Sequence, residues 1–498
     1  MASKISFIIL EFGRSLFITN CWNPQGVIMK SVALIAAILV LIFSANVFAD
    51  KSDGALKPEF LDEMRNSVKF EGSSKIVYNA LLKNRIKDLA LDHDKLVKHE
   101  DLFNVTTKTK GITNQNSSGR CWLFASLNHL RANMMAKYKL DEFEFSQNYL
   151  AFYDKLEKAN MFLELVIEYR DRDMYDRELQ DWFYSPFGDG GWWFYVVELL
   201  DKYGCVPKDV MPETESSANT GMMNNLISTK LRQAGAHIRD KAAEGKTVEE
   251  LRAYKEDVMK EVYKMLVMNL GMPPTEFEWR YVEKGEDDKD STIMPRKTYT
   301  PQQFYKDVVD IDLRDYITLS DHPSQPKFKP YRSTTSRNMF DKEDHAYLNL
   351  PIDTLRAYAY RMILDGQPVV FGCDVGKDND NDQGIFQPGI YDYESVYGVS
   401  FDMTKSERFT YGDITTNHMM LLTACDTANG KPIKWKVENS WGKDRGDGGY
   451  WTMYDDWFTD YVFEIIVPRK YVSRDILKIN EMEPVVLPPW DPYSRYFK

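Results

Sequence analysis

The chain has 498 residues, a net charge of −12, 43% hydrophobic and 28% charged residues. That is enough for one large domain or two to three ordinary ones, with the composition of a folded soluble protein. The acidic balance argues against nucleic-acid binding as the main role, which needs a basic face. The five cysteines, Cys21, Cys121, Cys205, Cys373 and Cys425, contain no C-x-x-C pair, and the seven histidines no H-E-x-x-H. There is no phosphate-cradling glycine loop and no internal repeat. No metal and no cofactor are expected.

Residues 30–49 carry a basic start at Lys30, an unbroken apolar run from Val32 to Phe43, and small residues at Val47 and Ala49. The run is short for a membrane span and has the flanks of a cleaved secretory peptide. Residues 29–49 are therefore expected to be a signal peptide. Residues 1–28 read as an extension ahead of a better start at Met29. The mature chain, 50–498, would begin near Asp50, be exported to a periplasm or outside the cell, and have no membrane span. With Cys121 kept free, three cysteines remain after cleavage, so at most one disulfide is possible and none is required.

From Asp50 to about residue 110 the chain is charged, and residues 76–91 fit a surface helix. Q-N-S-S-G-R-C-W-L-F, residues 115–124, then places Cys121 in the first turn of a helix whose Leu123, Leu127, Leu130 and Met134 share a face. A cysteine there meets unpaired N–H groups and the positive end of the helix dipole, which favour the nucleophilic thiolate. The plain alternative is a buried, inert core cysteine. Residues 143–165 read as a second helix capped by Ser146. P-F-G-D-G-G-W-W, residues 186–193, breaks the helical pattern. Its glycines suit either a tight turn under two tryptophans or a strip that pairs with an extended peptide.

Residues 215–345 look like an insertion built largely of helices, with a capping box at Thr247 and Glu250 and a helix running to Leu270. Residues 283–290 read as a solvated loop. Residues 351–365 form another helix, and 369–375 a buried strand. The acidic run 378–384 invites a calcium reading, which fails because Gly384 comes one place late and Gly389 stands where a bidentate Glu is needed.

His418 opens an apolar run with strand character. In W-K-V-E-N-S-W-G, residues 435–442, alternation puts Trp435, Val437, Asn439 and Trp441 on one strand face. An amide between tryptophans needs partners. The combination makes sense as an imidazole held by Asn439 and shielded by the indole of Trp441. In such a site Cys attacks an acyl carbon, His keeps it ionised and protonates the departing amine, and Asn fixes the His tautomer. The Gln115 amide and the Cys121 N–H could serve the oxyanion, where one lost donor costs roughly 3–4 kcal/mol.

These blocks resemble the bleomycin hydrolase/aminopeptidase C branch of papain-like cysteine peptidases. The resemblance spans about residues 75–498. It rests on T-N-Q-N-S-S-G-R-C-W-L-F-A (113–125), F-S-Q-N-Y-L-A-F-Y-D-K-L-E-K-A-N (145–160), Y-G-C-V-P-K (203–208), V-F-G-C-D-V-G-K (370–377), V-E-N-S-W-G (437–442) and L-P-P-W-D-P (487–492). It implies an α+β papain-like fold, a helical half and a β-rich half with the cleft between, plus the helical insertion. It also implies a C-terminal arm, about 484–498, lying in the cleft.

By matching position Cys121 would be the nucleophile, His418 the base and acid, Asn439 the orienter and Gln115 the oxyanion donor. Gly190, Gly191, Trp192, Trp441 and the terminal Lys498 would contact substrate. The resemblance implies an aminopeptidase acting on peptides with free N-termini, assembled as a homohexamer. An open-cleft endopeptidase or oligopeptidase is the alternative, and an inactive peptide-binding scaffold a third. Three positions depart from the pattern: Asn417 in place of Thr, Trp192 and Trp193 after the glycines in place of Gln and Trp, and a bulky end, Y-S-R-Y-F-K.

Overall fold

The computed structural model describes residues 54–285 and 291–493. The proposed signal peptide and Lys498 lie outside the described residues. The chain divides into two units, residues 1–84 and 85–498. In the first, α1 (Pro58–Ser67) and α2 (Gly72–Leu81) are solvent-exposed helices with no buried residue. α2 stops short of the helix expected over 76–91. The Asn84 side chain donates to the Ala80 carbonyl and closes a turn there.

The second unit is built around a helix and a sheet. α3 (Cys121–Tyr138) buries 14 of its 18 residues. It is covered on all sides, so the expected stripe of Leu123, Leu127, Leu130 and Met134 is only part of its buried surface. α4 (Gln147–Glu168) starts at Ser146, whose hydroxyl accepts from the Tyr149 N–H. α5 (Trp193–Tyr203) follows the glycine strip.

α6 (Gly221–Ala243) and α7 (Val248–Leu270) are the two long helices of the expected insertion. The Thr247–Glu250 capping box forms as read, and α7 ends at Gly271 with φ +93°. Beyond Leu270 helical turns in the described part of the insertion are confined to Pro301–Gln303, Phe304–Val309 and Leu313–Asp315, and the rest of its regular structure is strand. Two short antiparallel strand pairs follow α7, Phe277–Trp279 with Lys297–Tyr299 and, nested inside it, Val282–Lys284 with Ser291–Ile293. β2 (Tyr316–Ser320), β3 (Lys329–Ser333) and β4 (Ala346–Asn349) then join the main sheet. Their pattern escapes a sequence reading because most positions are buried on both faces, so no alternation marks them.

α8 (Ile352–Leu364) leads into β5 (Val369–Cys373), as the sequence predicts. β6 (Asn379–Asp380), β7 (Ile385–Phe386), β8 (His418–Ala428), β9 (Lys431–Glu438), β10 (Tyr450–Tyr454), β11 (Val462–Pro468) and β12 (Val485–Leu487) complete the order. One 12-stranded sheet runs β6-β7-β10-β9-β8-β5-β11-β2-β4-β3-β12, with its twelfth strand, β1 (Val105–Thr106), paired with β8. β9 ends at Glu438, so Asn439 sits just past the strand rather than within it. The C-terminal arm is part of the sheet: β12 pairs in parallel with β3. Among the described residues no helix is long and apolar enough to cross a membrane.

Candidate active site

α3 delivers Cys121 as its first residue, at an N-terminus with no side-chain cap. Arg120, the residue before it, is almost fully buried. It donates to Glu213 through both Nη atoms at 3.1 and 2.8 Å and to the Ser217 carbonyl at 2.7 Å. A planar guanidinium forked onto a carboxylate fixes direction as well as distance, so the turn entering the helix is anchored from below. Sequence reading passed over Arg120 because it stands at a variable place in the motif.

The thiol lies against the backbone N–H of Met419, the residue after His418. Burial pushes Cys121 up to about 11, while the N–H groups of Met419, Trp122 and Cys121 itself pull it down. Burial also pushes His418 down to about 4, opposed by Asn439. The N–H groups at the helix N-terminus therefore favour thiolate as the sequence suggests, but burial outweighs them at Cys121 and also works against the charged form of His418.

His418 Nε2 is 2.9 Å from Asn439 Oδ1. The same oxygen accepts from the Ser440 N–H at 2.8 Å. A backbone N–H can only donate, so the amide face toward it must be oxygen. Nε2 therefore carries the proton it gives to Asn439, and Nδ1 keeps its lone pair. Trp441 covers this bond, its ring centroid 5.0 Å from that of His418.

Gln115 is joined to the same segment. Its N–H donates to the Ser440 carbonyl at 2.8 Å, and its Oε1 accepts from Ser440 Oγ at 2.6 Å. Its Nε2 gives one hydrogen to the Ser118 carbonyl. An amide nitrogen carries two hydrogens, so a second remains.

The glycine strip lies over the indole of Trp122. A Cβ on Gly191 would stand 2.5 Å from Trp122 Cε2, so only glycine fits. The Gly190 carbonyl is already taken by Lys158 Nζ at 2.5 Å. Asp189 fastens the strip to the nucleophile's turn. Its Oδ2 accepts from the Gly119 N–H at 2.9 Å and its carbonyl from Trp122 Nε1 at 2.7 Å. Burial would raise this carboxyl, but Lys155, Thr220 and the Gly119 N–H hold it well below the usual range. Asp189 was not singled out from sequence, although an acid directly before two glycines was the available signal.

The structure thus gathers Cys121, His418, Asn439, Gln115 and Trp441 and sets Gly190 and Gly191 beside them. Trp192 requires a correction. Its side chain is 1% exposed, stacked on His345 at 4.5 Å and on Tyr493 at 5.4 Å, so most of its surface is taken up by packing against the C-terminal arm. The departure at Asn417 has a local account: its side chain accepts from the Val375 N–H and donates to Asp374.

Tyr493 is the last described residue of the arm and is completely buried. Its hydroxyl donates to Glu464 Oε2 at 2.7 Å. Asp491 Oδ1 is 3.1 Å from His322 Nε2, and the Pro492 carbonyl accepts from Thr415 Oγ1 at 3.4 Å, three residues before His418. The four described cysteines are free thiols.

This is the fold and site of a papain-like α+β cysteine peptidase. A sequence model of the peptidase C1-like family matches residues 55–494. Aminopeptidase C of Listeria monocytogenes is 38% identical over 428 residues, covering 85% of this chain and 95% of that protein. Bleomycin hydrolase of Homo sapiens is 39% identical over 398 residues, covering 78% and 86%. The crystal structure of PepW from Lactobacillus rhamnosis HN001 superposes with a TM-score of 0.84 at 35% identity, covering 89% of this chain and 99% of that one. The chain belongs to the peptidase C1-like family.

The upward push of burial on the Cys121 thiol has a measurable consequence. Alkylation of Cys121 by a small haloacetamide is expected to climb with pH between 6 and 9, about tenfold per unit while thiolate is the minor form. It should still outpace Cys205, which is buried with nothing opposing the desolvation. A flat profile over that range would mean that Cys121 and His418 are already an ion pair.

Proposed function

We propose that the protein is an exported cysteine aminopeptidase that removes N-terminal residues from peptides. His418 Nδ1 takes the Cys121 proton, and the thiolate attacks the carbonyl carbon of the first peptide bond. The negative oxygen of the tetrahedral intermediate is met by the remaining Gln115 Nε2 hydrogen and the Cys121 N–H. Imidazolium gives its proton to the departing amine as the C–N bond breaks, leaving an acyl-enzyme. A water, deprotonated by His418, then hydrolyses the thioester and restores the thiol. Asn439 holds the imidazole in the tautomer that both steps need.

The observation that carries the exopeptidase reading is the burial of Tyr493 beside Trp192 and Glu464, with the Pro492 carbonyl held by Thr415, three residues before the strand that starts at His418. The arm is thereby held at the His418 side of the site. The family resemblance implies a terminal carboxylate on this arm, and such a carboxylate and a substrate α-ammonium are both charged near neutral pH and attract in a partly desolvated cleft. The names of the relatives agree with this reading. Export rests on residues 29–49. A homohexamer is proposed from the family resemblance and accords with the apolar residues exposed in the first unit, among them Leu56, Phe60 and Ile76.

Hydrolysis of free-amine aminoacyl reporters, with no turnover of their N-blocked counterparts and none by Cys121→Ala, is the expected result. Cleavage of blocked reporters by the wild-type chain would favour an open-cleft endopeptidase. Tyr493→Ala, which unseats the arm, is expected to raise cleavage of blocked reporters at least tenfold; unchanged selectivity would remove the arm from the account. The exported protein should begin near Asp50 and sediment at about six times the protomer mass. An intact N-terminus, or a monomer, would overturn the corresponding part.

A further inference from the structure

Three stretches of chain bring the candidate catalytic groups together. They are the loop 111–115 that ends in Gln115, the helix α3 that begins with Cys121, and the segment 438–442 that carries Asn439 and Trp441. Beneath all three lies a pair of charges to which the proposed chemistry gives no role. Arg131 Nη2 is 2.6 Å from Glu438 Oε1, with the two side chains 4% and 0% exposed. Arg131 sits ten residues along α3 from Cys121, about 15 Å down the helix axis. Glu438 is the last residue of β9, immediately before Asn439.

The same guanidinium nitrogen also donates to the Gly111 carbonyl at 2.9 Å. One turn nearer Cys121, Asn128 Nδ2 donates to Thr113 Oγ1 at 2.9 Å. The Thr113 carbonyl in turn accepts from the Gly442 N–H at 3.1 Å, and Asn114 bridges to Trp441. The helix is therefore tied to the loop and to the post-strand segment, and those two are tied to each other. The closure is tight. Gly442 has φ +78°, and a Cβ there would meet Asn114 Nδ2 at 2.8 Å.

A buried ion pair is a costly way to fill space. Well-packed apolar residues of similar volume serve stability as well or better, while removal of one partner leaves an uncompensated charge. What a charged pair adds is a single preferred alignment. A sliding apolar contact between α3 and β9 would let Asn439 and Gln115 shift against Cys121, and a shift of about 1 Å in such a site costs on the order of 100-fold in rate.

We propose that Arg131 and Glu438 form a positioning clamp that sets Asn439 and Gln115 in register with Cys121. Neither touches the reacting atoms. Both act through the segments they join. This rests on the catalytic roles proposed above for Cys121, Asn439 and Gln115.

The test compares the full-length wild-type chain with Glu438→Gln and with the double variant Arg131→Met/Glu438→Leu. Glu438→Gln leaves a buried guanidinium without its counter-charge and is expected to lower the melting temperature. The double variant removes both charges and is expected to regain it. In both, kcat on a free-amine reporter should fall about 10- to 100-fold, with KM within twofold of wild type.

Recovery of kcat together with the melting temperature in the double variant would overturn the clamp, as would a loss confined to KM. Alkylation of Cys121 by haloacetamide, read on the same variants, keeps the result independent of the peptidase assay. The clamp predicts a changed rate in the double variant despite restored stability, and an unchanged rate overturns it. Wild-type protein without Cys121-dependent hydrolysis would instead sink the aminopeptidase reading.

Discussion

The arrangement depends on where one buried helix ends. α3 is wrapped in protein along nearly its whole length, and its N-terminus stops against the strand that starts at His418. The four N–H groups of a first helical turn lack partners within the helix. Here some of them face the Cys121 sulfur, joined by the Met419 N–H from the sheet. A helix exposed on one side could slide or tilt. One closed on every side by close-packed residues has no such freedom. The position of a single thiol is set by the packing of the whole helical half against the sheet.

Around that fixed point the polar groups are arranged so that each has one available orientation. Asn439 cannot flip, because the Ser440 N–H demands an oxygen. Gln115 is held at both ends of its amide, by Ser440 Oγ and by the Ser118 carbonyl. Asp189 ties the strip to the turn before Cys121 through side chain and backbone at once. Burial penalises ions as much as it fixes geometry, and it is the largest influence on both Cys121 and His418. Precise placement and suppressed ionisation thus have the same cause, and the proposed chemistry works against the second to gain the first.

The C-terminal arm joins fold and specificity. β12 enters the sheet through parallel pairing with β3, and Asp491 and Tyr493 lock onto His322 and Glu464. The bulky aromatic that looks out of place in the primary sequence is completely enclosed, stacked between Trp192 and the rings of His322 and Tyr347. Trp192, which stands where the pattern has Gln, and Tyr493 near the end of the arm are parts of one contact.

The sequence by itself determined the elements with strong local signals. The Ser146 cap, the Thr247–Glu250 box, the stop at Gly271 and the strand from His418 all depend on neighbours within a few residues, and each was legible. So was the set Cys121, His418, Asn439 and Gln115, because the residue types and their flanking motifs are specific. Tertiary structure alone decided the rest. The strands from 316 to 349 are buried on both faces and show no period. Asn439 lies beyond its strand, not within it. Trp192 packs inward because Tyr493, 301 positions later in the chain, covers it. Arg120, Arg131, Asp189 and Glu438 are ordinary charged residues in the sequence, and only the fold shows them paired, with all but Asp189 fully buried. The difference is one of range. Caps and periods are fixed by a turn or two of backbone, whereas a buried charge is defined by whichever distant segment arrives to neutralise it.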